Sequence, residues 1–69
     1  MTLSRHHLTA QRDRAWSDVR RIARHSLRAA QRCRTEDARK YYMEWMELRA
    51  ELSSALRVWA AYRDLQGRQ

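Results

Sequence analysis

The sequence predicts an all-α fold, an antiparallel two-helix hairpin that dimerises into a four-helix bundle. Three observations carry that expectation. Between Thr2 and Gln66 there is no proline or glycine and β-branched residues are sparse, so helix breakers are missing and strands have almost no material. Two long segments repeat apolar residues at steps of three and four. One polar run, Arg34-Thr35-Glu36-Asp37, divides them.

The first helix is expected over about residues 5–33, with Ser4 or Thr9 as its cap. At about 100° per residue, Leu8, Ala15, Trp16, Val19, Ile22, Ala23, Ser26, Leu27, Ala30 and Cys33 fall on one side, the pattern that burial requires. Arg14, Arg20, Arg21, Arg24, Arg28 and Arg32 share an opposed arc of about 120°, with His25 near it. Arg20, Arg24, Arg28 and Arg32 stand four apart, where like charges repel.

The turn is expected at residues 34–35, with the Thr35 hydroxyl capping a second helix over about residues 36–66 and Glu36 and Asp37 at its positive end. Gly67 is the expected stop. At 1.5 Å per residue the helices are about 40 and 45 Å long. Tyr41, Trp45, Leu48, Leu52, Ala55, Trp59 and Tyr62 form a nearly strict heptad on the second helix, a packing seam. Tyr42, Leu56, Val58 and Leu65 widen it and Met43 and Met46 lie on other sides, more apolar surface than a single facing helix covers. Glu44, Glu47 and Glu51 make an acidic edge suited to cations across a helix interface. Tyr41, Tyr42, Trp45, Leu48, Leu52, Leu56, Trp59 and Tyr62 are therefore the candidate oligomer or partner interface.

Sixty-nine residues with one cysteine leave no intramolecular disulfide to support a small core, and a second copy of the chain is the remaining support. The lone Cys33 and the absence of a secretory-type apolar stretch lead to the expectation of a cytoplasmic protein.

Charge is divided unequally. Residues 1–34 hold nine arginines and two aspartates, whereas residues 35–69 hold six basic and six acidic residues, so the first half carries the whole net charge of +7. A one-signed cationic face favours a polyanionic or acidic partner, because clustered cations raise the local potential and steer opposite charge toward it. An ordinary solvated face mixes both signs, but here no acid occurs from Val19 through Thr35. Nucleic acid, gripped at its phosphates by Arg14, Arg20, Arg21, Arg24, Arg28 and Arg32 with help from His25, is the first expectation, and an acidic protein surface the second. A membrane surface fits less well, because four of the ten residues in the first helix's apolar stripe are Ala or Ser.

Signals for chemistry are thin. His6, His7, His25 and Cys33 lack the paired spacing of a zinc site, no Glu-x-x-His occurs, and there is no phosphate-cradling glycine loop or nucleophile elbow. The expectation is a non-enzymatic regulatory or accessory protein without cofactor or metal. The alternative is an adaptor or inhibitor, of the kind phage and mobile elements encode, that docks on a larger protein through its aromatic, Met-rich second helix.

Overall fold

The computed structural model describes residues 5–68, which form a helical hairpin: α1 runs Arg5–Thr35 and α2 runs Ala38–Gly67. The two pack side by side along their length in a rod 49 Å long and 15 by 14 Å across. Ser4, one of the two expected caps of α1, lies outside the described residues. Thr9, the other, sits inside the helix, its hydroxyl donating to the Arg5 carbonyl at 3.0 Å.

The reversal falls two residues later than the sequence reading placed it. Thr35 does not cap α2; its hydroxyl donates back to the Gln31 carbonyl at 2.8 Å, which keeps it in the last turn of α1. Asp37 is the cap, with extended backbone and a carboxylate that accepts from the amides of Arg39 and Lys40 at 3.0 and 3.2 Å. A charged oxygen outcompetes a hydroxyl for two orphan amides at the positive end of a helix. The Arg32 carbonyl closes α1 by accepting from the amides of Glu36 and Asp37 at 2.9 and 3.1 Å. No described residue has a positive φ, so the turn is made without glycine. Gly67 is the last residue of α2, but it does not turn into the left-handed region; Arg68 follows in ordinary right-handed conformation.

Packing follows heptads on both helices. On α1 the residues turned inward step by four and three from Leu8 through Arg12, Ala15, Val19, Ile22, Ser26, Ala29 and Cys33, each buried or half-buried. On α2 the matching series runs from Tyr41 through Trp45, Leu48, Leu52, Ala55, Trp59 and Tyr62 to Gln66, all half-buried. Ala15, Ser26, Ala29 and Cys33 give α1 small residues at half of its seam positions, which leaves room for the larger side chains of α2 to interdigitate. Two long-range pairs fix the register: Trp16 meets Trp59 with ring centroids 5.0 Å apart, and the Gln66 amide donates to the Thr9 hydroxyl at 2.6 Å.

The expected inward face of α1 needs two corrections. Leu27 is 63% exposed, while Ala29, absent from that face in the sequence reading, is 1% exposed. Trp16 touches its partner ring yet stays 43% exposed. The heptad continued from Ile22 through Ser26 reaches Ala29, which leaves Leu27 about 100° off the seam. Only Leu8, Ala15, Val19 and Ala29 form a buried apolar core among the described residues, and α2 contributes no buried residue.

Candidate nucleic-acid interface

Helix geometry builds the ridge. With the α1 seam turned toward α2, positions 20, 24 and 28 point about 130° or more away from it, and positions 14, 21 and 32 follow on one shoulder. Arg14, Arg20, Arg21, Arg24, His25, Arg28 and Arg32 are all exposed. From Arg14 to Arg32 the row extends about 27 Å at 1.5 Å per residue, the path of several phosphates.

Ion pairing within the chain neutralises little of this row. Arg21 reaches Asp18 at 3.4 Å, one turn earlier on the same helix. The other ion pairs among the described residues, Arg12 with Asp13 and Arg63 with Asp64, lie off the ridge. Arg14, Arg20, Arg24 and Arg28 have no carboxylate within ion-pair distance among the described residues. Arg32 leans over the Tyr41 ring at 5.4 Å, its charge facing the π cloud. Ser17, Arg20 and Arg24 line a shallow, open notch of about 210 Å³ on the ridge.

Glu44, Glu47 and Glu51 are exposed on α2, and no described ion pair joins α2 to α1. Of the eight residues expected to form an oligomer or partner interface, Tyr41, Trp45, Leu48, Leu52, Trp59 and Tyr62 are half-buried along the hairpin's own seam. Tyr42 and Leu56 remain open, at 50% and 40% exposure. Heptad spacing locates a seam but does not say whether the facing helix belongs to the same chain.

The two flanks of the hairpin differ in chemistry. One holds an apolar groove of about 450 Å³ walled by Ala15, Ile22, Ala50, Ala55 and Val58, with Asp18, Arg21 and Glu51 at its rim. The other carries Trp16 and Trp59 beside Arg12, Asp13 and Arg63 around a cleft of about 290 Å³. On that second flank arginines lie over indoles, Arg49 on Trp45 at 5.1 Å and Arg63 on Trp59 at 5.0 Å. On α2 cations and aromatics are thus paired at i, i+4, a spacing visible in the sequence.

Among the described residues no group of three or more His, Cys, Asp or Glu side chains could hold a metal ion, and no helix is long and apolar enough to cross a membrane. Cys33 is a free, half-buried thiol. Comparisons with protein-family models, curated proteins and solved structures find no match to this chain.

Proposed function

We propose that this chain is a small, basic, non-enzymatic nucleic-acid-binding accessory or regulatory protein that grips the phosphate backbone through the arginine ridge of α1. It works as a homodimer, a four-helix bundle of two hairpins, in a reducing compartment such as the cytoplasm, which suits the free Cys33. The observation that carries this reading is the group of Arg14, Arg20, Arg24 and Arg28, exposed on one side of one helix and without carboxylate partners among the described residues. Four like charges held together raise the local potential, and neutralising phosphates relieves that repulsion while releasing counterions.

Binding to a short duplex, followed by fluorescence anisotropy across a salt series, tests it. Four to six phosphate contacts per hairpin give a slope of log affinity against log salt of roughly −4 to −5. Arg24→Glu combined with Arg28→Glu flattens that slope and weakens binding at least tenfold at low salt. Absence of binding at low salt, or affinity indifferent to both salt and the double substitution, rejects the proposal.

The second reading, an adaptor that docks on a larger or acidic protein through α2, is favoured by the large side chains α2 leaves open, Tyr42, Met43, Val58 and Leu65 among them. Under it the ridge only steers association, so Arg24→Glu with Arg28→Glu slows the on-rate for the partner protein and leaves the off-rate unchanged.

A further inference from the structure

One flank of the hairpin carries large apolar side chains from both helices, interspersed with Arg12, Arg49 and Arg63. At about 100° per residue, Trp16, Ala23 and Leu27 lie on the same side of the α1 seam, and Tyr42, Met46 and Leu56 on the corresponding side of the α2 seam. The cleft shared by Trp16 and Trp59 shows that these two sides form one face. Trp16, Leu27, Tyr42, Met46 and Leu56 are each between 37% and 63% exposed. The opposite side presents Glu44, Glu47 and Glu51 beside the apolar groove, and of the large exposed apolar side chains it holds Met43, Val58 and Leu65.

We infer that a second copy of this chain seats on the Trp16–Leu27–Leu56 face, each α1 lying across its partner's α2, so that the two arginine ridges stand on opposite sides of the bundle. The seating deepens the homodimer of the proposed function and is independent of its nucleic-acid part, on which the ridge consequence alone rests. Area supports a second copy as the occupant. The face is as long as the 49 Å molecule and about as wide as its 15 Å section, a footprint on the order of 700 Å², close to the ~800 Å² per partner of a stable interface. Burial supports it too, since the hairpin alone buries four apolar side chains among its described residues, and a copy of the same chain is always at hand to cover the rest.

Charge selects the arrangement. A twofold axis across the helices would stack α1 on α1 and bring together the two halves that hold all of the net charge. An axis along the helices places each cationic α1 over the partner's neutral half instead. Such an axis preserves height along the rod. From the pairs Thr9 with Gln66 and Trp16 with Trp59, Leu27 of one copy then lies level with Leu48 and Arg49 of the other. With its ridges on opposite sides, one dimer bridges two polyanion segments.

The test is made on the protein alone, at high salt and without nucleic acid, so that its outcome is independent of polyanion binding. Light scattering should give a dimer for the unmodified chain and for Val58→Glu on the opposite flank, and a monomer for Leu27→Glu combined with Leu56→Glu. Because that double variant can fail to fold, a second measurement uses single cysteines in a Cys33→Ala background. Leu27→Cys mixed with Arg49→Cys forms an intermolecular disulfide under mild oxidation, while either variant by itself does not. A monomer at all concentrations, a dimer broken by Val58→Glu and spared by the double variant, or a dimer without the mixed crosslink overturns the inference. If the dimer stands, two differently labelled duplexes come together only when it is present; a dimer that forms but joins no duplexes removes the polyanion reading and leaves the seating intact.

Discussion

Asp37 holds the chain reversal almost alone. Its carboxylate serves two amides of α2, its carbonyl accepts from the Tyr41 amide at 3.2 Å, and its own amide closes α1 on the Arg32 carbonyl. Replacing the side chain by a methyl group leaves two amide donors at the start of α2 to water. Asp37→Ala should lower unfolding free energy by about 1 kcal/mol, read from the midpoint of urea denaturation at unchanged slope. Thr35→Ala should cost less than half of that, since the hydroxyl only bonds back to the carbonyl of its own helix. Equal losses for the two would mean that the cap is shared. This residue-scale choice was not legible in Arg34-Thr35-Glu36-Asp37, where Thr35 and Asp37 are both sound caps and only the competition between two acceptors separates them.

At the scale of the helices, the heptad of α2 was legible throughout because its members are large and evenly spaced, from Tyr41 to Tyr62. On α1 half of the seam is made of small residues, and Ala29 and Ala30 look alike in a hydrophobic pattern; the exposed Leu27 draws the predicted face toward itself. The ridge was legible for the opposite reason, since charged residues on a helix need only angular arithmetic to be placed. What no single-helix reading supplies is the pairing of Trp16 with Trp59, which needs the register between helices. The ridge also has a cost to its own helix. Arg20, Arg24 and Arg28 make two like-charge pairs at i, i+4 without carboxylates to relieve them among the described residues. Arg24→Glu turns both repulsions into attractions and should raise stability by up to about 1 kcal/mol. The same substitution removes one cation and adds an anion beside the notch, so affinity for duplex falls as stability rises. Thermal melts and anisotropy on one preparation check both signs together, and a more stable variant that binds as before would show the row to be only a solvated face.

The whole molecule is a rod whose second helix buries no residue fully and whose flanks keep indole, phenol and aliphatic surface in water. Cation–π pairs soften that exposure. The guanidinium groups of Arg49 and Arg63 cover one face each of Trp45 and Trp59, worth about 0.5–1 kcal/mol apiece at such open sites, and they shade aromatic surface without closing it. In the proposed dimer this 69-residue chain would gain much of its stability on association, which would tie its unfolding to mass action. Each tenfold rise in protein concentration then adds about 1.4 kcal/mol per dimer and lifts the thermal midpoint by roughly 3–5 °C, whereas a self-sufficient hairpin melts at one temperature whatever its concentration. Scanning calorimetry over two decades of concentration separates the two. Salt should act in the same direction as concentration, because screening the arginine ridges lowers the repulsion that two cationic halves bring to one particle. A midpoint that is flat in concentration but still climbs with salt would place the repulsion within the single hairpin and leave its apolar flank to a partner of another kind.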